Sequence, residues 1–417
     1  MSKQPLSLFQ AFGIELEYMI VDRDTLRPRP IAESILLDEN GETTQEISLG
    51  SIDVSNELAT HVLEFKTAGP TADLEQLERD FAAAITEMND RLAVHNAMLA
   101  PTGIHPFMDP AIESTTWSKG DRTIYDAYDR IFGCSSHGWF NLQSCHINLP
   151  FANEEEFARL HTAIILILPY LPALSASSPF IEGEYRGFLD TRLDVYKNNQ
   201  AKVPEIAGDI VPEAIFTYAD YQSQILEKTY AAIKPYDPDG ILQYEWLNSR
   251  GAIARFDRNA IEIRVLDTQE NPKQDIGIAS LIIALLEKLC SLNIEKLKQL
   301  ALSHTSKQRK AQFLAVAKDG FEADLSVRDL ANTFGLNPNE TTVGELWAKI
   351  VEALKDHPRV AKRTTALGYI LQEGSLAERM IARVGTKPDQ EDLKSTLAEL
   401  AHCLAKSQHF DPAKALV

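Results

Sequence analysis

Thiols are scarce in this sequence. Four cysteines, Cys134, Cys145, Cys290 and Cys403, stand far apart with no CxxC pair among them. That argues against thiolate zinc sites and a disulfide framework, and fits a reducing, cytoplasmic compartment. Long apolar runs are missing as well. The most hydrophobic one, Ala163 to Leu174, is too short to span a bilayer and contains Pro169 and Pro172. No membrane segment is expected, and Met1-Ser2-Lys3-Gln4-Pro5 lacks the apolar core of a signal peptide. Basic residues are in deficit, 41 against 60 acidic ones, for a net charge of -19. A nucleic-acid partner, which needs basic patches over its phosphates, is therefore disfavoured. A nucleotide whose charge arrives with metal ions is not. There is no GxxxxGKS/T loop and no GxGxxG stretch, so P-loop and Rossmann sites are excluded at the level of motif. Internal repeats and low-complexity segments are also lacking.

What the chain does have is a strictly alternating opening stretch, Phe12-Gly13-Ile14-Glu15-Leu16-Glu17-Tyr18-Met19-Ile20-Val21. On a strand Ile14, Leu16 and Tyr18 take one side and Glu15 and Glu17 the other. Neighbouring carboxylates repel unless something positive lies between them. A charged edge strand and a divalent-cation site are the two readings of this stretch alone. Three further segments repeat the pattern. Glu64 opposes Leu63 and Phe65; His146 and Asn148 oppose Ile147 and Leu149; Glu262 and Arg264 oppose Ile261, Ile263 and Val265. Ordinary solvated faces are rich in Lys, Thr and Ser, whereas these supply acids, a histidine and an arginine. An antiparallel sheet backed by helices would gather them on its open concave side. Acids with one imidazole and no thiolate suit Mg²⁺ or Mn²⁺. Such ions bridge nucleotide phosphates, and Arg264 beside Glu262 could stabilise a transferring phosphoryl group.

The 417 residues are enough for a large core, as one domain with an annex or as two. Residues 42 to 68 read as two or three strands. Asp73 to about Leu99 carries helical periodicity through Leu74, Leu77, Phe81, Ile85, Met88 and Leu92. Asn153 with Glu156 has the form of a capping box, opening a helix into Ile164–Leu168. Residues 175 to 213 show little periodicity, a helix follows near Ala219 to Ala232, and strands are expected at Gln243–Leu247 and Ala260–Asp267. Beyond Pro272 the pattern is helical. Residues 1–275 therefore read as an α+β unit and 276–417 as a helical C-terminal region packed on it. Cys145 precedes His146 on the opposite face and reads as a buried thiol.

Taken in order, Phe12-Gly13-Ile14-Glu15-Leu16-Glu17, Val62-Leu63-Glu64-Phe65-Lys66-Thr67, Cys145-His146-Ile147-Asn148 and Ile261-Glu262-Ile263-Arg264-Val265-Leu266-Asp267 resemble the motifs of the glutamate–cysteine ligase type 2 family. That family includes bacterial carboxylate–amine ligases and shares its catalytic fold with glutamine synthetase. The resemblance implies an antiparallel sheet funnel holding ATP and Mg²⁺. A substrate carboxylate attacks the γ-phosphate to give an acyl phosphate, and an amine captures it as an amide. Glutamate, or a similar carboxylate, and an amine such as cysteine would be the substrates. By the same resemblance Glu15, Glu17, Glu57, Glu64, His146 and Glu262 are metal ligands, with Glu64 also in the catalytic set. Arg264 is the catalytic contact to the ATP phosphates, Arg250 and Arg255 are further phosphate contacts, and Arg192 is a substrate-carboxylate arginine. Glu182 to Pro204 matches no substrate-loop pattern, which leaves both substrates open. A metal-dependent hydrolase using the same carboxylates, and a non-catalytic nucleotide- or amino-acid-binding protein on a ligase scaffold, remain as alternatives. Self-association into a homo-oligomer is left open.

Overall fold

A long, regular first strand decides the architecture. In the computed structural model, which describes residues 4–414 except Asp121, Pro338 and Glu340, β1 runs over Gly13–Asp22. Met1–Lys3, part of the stretch read above for a leader, lie outside the described residues. The strands that follow are β2 (Glu46–Ser48), β3 (Ile52–Asn56), β4 (Val62–Thr67), β5 (Ala97–Ala100) and β6 (Ser144–Pro150). A small hairpin, β7 (Phe180–Ile181) and β8 (Glu184–Tyr185), precedes β9 (Ala252–Arg255) and β10 (Ala260–Asp267). The main sheet has the order β2-β3-β4-β1-β6-β10-β9, with β5 also on β1, and its pairings are antiparallel.

One face of this sheet is dry. Ile14, Leu16, Tyr18, Leu63, Phe65, Ile147, Leu149, Ile261 and Ile263 are fully buried. Of the helices α1 (Leu74–Ala93), α2 (Thr123–Phe132), α3 (Glu154–Ile167), α4 (Thr191–Tyr196) and α5 (Pro272–Cys290), α1, α3 and α5 pack their apolar residues into the core on this face. α5 is apolar on nearly every side, the mark of a helix inside rather than on the core. Its start is well specified, with Pro272 in the first turn and Asn271 Oδ1 accepting from the Gln274 N–H at 3.1 Å. From Ile294 onward the described chain is helical in its main elements, including Ser306–Asp319, Val343–Leu354, Thr364–Glu373, Leu376–Val384 and Gln390–Lys406. One hydrophobic cluster runs from Phe12 to Leu404 and joins the sheet to these helices, except Leu376–Val384, which packs with Met19 and Val21 in a second cluster. No helix among the described residues is long and apolar enough to cross a membrane.

Several local expectations need correction. α1 stops at Ala93 rather than near Leu99, because Asn96 adopts a left-handed φ of 53° and turns the chain back into β5. Gln243–Leu247 is not a strand; its one regular element is a 3₁₀ turn at Glu245–Leu247. β9 was not anticipated, since all four of its residues are buried and leave no alternation to read. The capping box at Asn153 is half formed. Asn153 Oδ1 accepts from the Glu156 N–H at 3.0 Å, but Glu156 Oε2 accepts from Ala152 at 2.8 Å and Leu8 at 3.1 Å instead of from its cap.

Candidate active site

The strand pairing carries the alternation across the sheet. Glu15 lies opposite Lys66 on β4 and His146 on β6, and Glu17 lies opposite Glu64. Glu262 pairs with Asn148. Between Ile263 and Leu266 the register of β10 slips past β6, a bulge that spans Arg264. Beyond it Asp267 pairs with Ser144. A cavity of about 700 Å³ opens over this face, and Glu15, Glu17, Glu57, Glu64, His146, Glu262 and Arg264 all line it. Glu57 comes from just beyond the end of β3.

The contacts within the cluster are short. His146 Nδ1 donates to Glu15 Oε2 at 2.8 Å and lies 3.7 Å from Glu262 Oε1. Asn148 Nδ2 donates to Glu15 Oε1 at 3.0 Å, and Arg264 Nε is 2.9 Å from Glu262 Oε1. Glu17 Oε2 accepts from the Ser144 N–H at 2.6 Å, and Ser55 Oγ donates to Glu64 Oε1 at 3.1 Å. Donor atoms of Glu15, His146 and Glu262 lie within 4.8 Å of one another, and so do those of Glu17, Glu64 and His146. Carboxylate oxygens with one imidazole form a hard donor set suited to Mg²⁺ or Mn²⁺.

Electrostatics separates the carboxylates. Burial pushes Glu15 up, but the hydrogen bond and charge of His146, with Asn148 and Arg264, bring it down to about 2. Burial opposes charge on His146, yet Glu15, Glu262 and Glu17 raise it to about 9. Burial and then the charge of Glu15 lift Glu64 to about 7, against the pull of Lys66. Burial, followed by Glu64 and Glu17, holds Glu57 well above the ordinary carboxylate range. Glu57 and Glu64 repel each other, and Lys66 only partly offsets this, so added positive charge there would favour their ionised forms.

The arginines divide. Arg264 and Arg255 line the cavity, with Arg255 Nη2 3.1 Å from Asp257 Oδ2. Arg250 and Arg192 are not among its lining residues. Arg250 is buried and bidentate on Glu213, at 2.7 and 2.8 Å. Arg192, at the start of α4, is buried against Asp267 and reaches the Arg264 carbonyl with Nη2 at 3.3 Å. Each has a carboxylate partner that the local sequence does not reveal. Two further residues without a role from the sequence touch the cluster, Lys66 at the cavity wall and Ser144 behind Glu17 and His146. Lys66 Nζ lies 2.8 Å from Glu46 and 3.4 Å from Glu64. Ser144 touches both Glu17 and His146. A period of two offered the signal, because Lys66 follows Glu64, and Ser144 precedes His146, by two residues. Cys145 is buried, and burial raises its thiol well above the ordinary range.

A family model described as glutamate-cysteine ligase family 2 matches residues 11–399. An uncharacterized protein of Archaeoglobus fulgidus is 33% identical over 404 residues, 95% of this chain and 99% of its own. A Salinispora tropica protein provisionally named glutamate–cysteine ligase 2 is 24% identical over 398 residues, 93% of each chain. Among solved structures, a glutamate–cysteine ligase from Francisella tularensis in complex with AMP has a TM-score of 0.63 at 14% identity, covering 96% of this chain and 89% of that one. A bifunctional glutathione synthetase from Pasteurella multocida has a TM-score of 0.57 at 14% identity and covers 96% of this chain and 52% of that one. At such identities the likeness is one of fold.

Proposed function

We propose, from the premise that the chain belongs to glutamate–cysteine ligase family 2 and is a carboxylate–amine ligase, that it uses ATP and Mg²⁺ to join a glutamate-like carboxylate to an amine such as cysteine. The observation that carries this reading is the convergence of two three-residue donor groups on one cavity lined by more acids than internal cations. In it, Glu15, His146 and Glu262 would hold one ion, and Glu17 and Glu64, with Glu57 from the same cavity wall, would hold a second. Bound there, such ions would screen the negative charges of the nucleotide phosphates and polarise their oxygens.

The substrate carboxylate oxygen attacks the γ-phosphorus, the bond to the β–γ bridging oxygen breaks, and ADP leaves. The amine nitrogen then attacks the acyl carbon, forms the amide and expels phosphate. Arg264 steadies charge on the transferring phosphoryl group from a position already fixed by Glu262. Arg255 offers a second phosphate contact at the cavity wall. Residues 1–275 carry the chemistry in this proposal, and 276–417 brace the sheet through the shared core. The cytoplasm, where ATP is plentiful and thiols stay reduced, suits the reaction.

The test is ADP release with Mg²⁺, ATP and glutamate, with and without a panel of amines led by cysteine, and products read by mass spectrometry. ADP together with a γ-glutamyl amide is expected. Product formed without nucleotide would replace the ligase reading with hydrolysis. Tight binding of ATP and Mg²⁺ with no turnover on any pair would replace it with a binding role.

A further inference from the structure

Ser144 opens β6 two positions before His146, so the two side chains share a face, and both are buried. Its N–H and its hydroxyl converge on one oxygen, Glu17 Oε2, at 2.6 and 3.0 Å. The same hydroxyl lies 2.8 Å from His146 Nε2. A hydroxyl has one proton to give. Given to His146, it would leave Ser144 Oγ and the carboxylate oxygen lone pair to lone pair at 3.0 Å. Given to Glu17, it leaves Oγ as an acceptor, and Nε2 must then carry the ring proton. The other ring nitrogen, Nδ1, faces Glu15 and Glu262. An imidazole with its proton on Nε2 presents its lone pair on Nδ1.

We propose that Ser144 is a positioning residue. It fixes His146 in the Nε2–H form and so commits the Nδ1 lone pair to a cation shared with Glu15 and Glu262. Both candidate donor groups include His146, so the ring must be assigned to one of them. Ser144 makes that assignment. The consequence is two unlike sites: one of mixed nitrogen and oxygen donors, and one of carboxylates alone. The first accepts Mn²⁺ readily, whereas the second is the harder site and suits Mg²⁺. When a cation replaces the proton on Nδ1, the chain from Nε2–H to Oγ–H to Oε2 stays as it was. Orientation of a ligating histidine through its second nitrogen is a general feature of metal sites.

This inference rests on the metal reading proposed above, and the experiment separates the two. Long-range ¹H–¹⁵N correlation spectra are recorded on the full chain with labelled histidine, with Mg²⁺ alone as the probe and His146→Gln as the assignment control. With Mg²⁺ bound, the wild-type ring is expected to carry its proton on Nε2. Ser144→Ala should lose that single form and weaken one of two bound Mn²⁺ ions, counted by paramagnetic resonance, by about 10- to 100-fold. Ser144→Thr, which keeps the hydroxyl, should restore both. A proton on Nδ1 in the Mg²⁺-bound wild type overturns the inference even if the variants fail to fold. An unchanged tautomer and unchanged Mn²⁺ affinity in folded Ser144→Ala overturn it as well, while leaving the metal reading intact. Mg²⁺ binding that is absent, or that survives Glu15→Gln unaltered, overturns the metal reading and this inference with it.

Discussion

Two of the places where the protein buries charge treat it in opposite ways. Just before α5, Glu270 meets Arg379 of the Leu376–Val384 helix, both fully buried, with contacts of 2.7 and 3.3 Å. Arg379 also donates to the Phe410 carbonyl at 2.9 Å. Burial pushes Glu270 up, but Arg379 brings it down to about 2. In the funnel Glu15, Glu17, Glu57, Glu64 and Glu262 share His146, Arg264 and Lys66 as internal cations. There Glu64 rises to about 7, and burial with its acidic neighbours lifts Glu57 well above the ordinary range. The first group is balanced within the chain and serves the fold. The second has more acids than internal cations, and the proposed ion sites rest on that imbalance.

The sharpest way to break this comparison is to neutralise one acid of the funnel. Glu15→Gln is expected to lower ADP formation by about 10³-fold. Its circular dichroism should match wild type, while its thermal midpoint should fall modestly because the favourable contacts of the Glu15 carboxylate with His146 and Asn148 are weakened. Full activity in that variant would take the cluster out of the mechanism. The reverse pattern is expected of Arg379→Ala. Stranding Glu270 in the core should cost about 3–5 kcal/mol in urea denaturation, with turnover per folded molecule unchanged.

Acid sharpens the contrast. The folded-state pKa of Glu270 lies below its ordinary 4.5. Its contribution is therefore complete above pH 4.5 and lost as pH falls towards 2. On the order of 3 kcal/mol should disappear over that window, measured as denaturation midpoints at stepped pH. Glu270→Gln should lack this component, and a slope identical to wild type would refute the assignment. The smallest effect is expected from metal. Mg²⁺ at about 100 times its dissociation constant should stabilise the wild type by about 2.7 kcal/mol, read as a thermal shift against chelator. Glu262→Gln should diminish that shift, whereas it should persist in any Glu270→Gln protein that folds.

The funnel acids were legible because a strand repeats every two residues, and Glu15, Glu17, Glu64, His146, Glu262 and Arg264 each sit among apolar alternates. Helices with a one-sided stripe, such as α1, were legible for the same kind of reason. Where both faces of a strand are buried, as in β9, that signal vanishes. Arg192 and Arg250 show another limit. An arginine in a sequence looks free until the fold supplies Asp267 or Glu213, and no local pattern announces that pairing. Ser144 carried a signal of position but none of chemistry, which emerged only from its distances to Glu17 and His146.

The pairing order of the sheet has a kinetic consequence. By residue 67 the growing chain holds β1 and β4, and with them Glu15, Glu17, Glu57 and Glu64. His146 arrives with β6, and Glu262 and Arg264 only with β10, nearly 250 residues after Glu15. Pairings so distant along the chain close slowly. A nascent or truncated polypeptide thus carries acids that repel one another before the histidine and arginine of the cluster are in place. The cluster is complete only once β10 has paired, so on the proposed function ATP binding would report that the sheet has been completed.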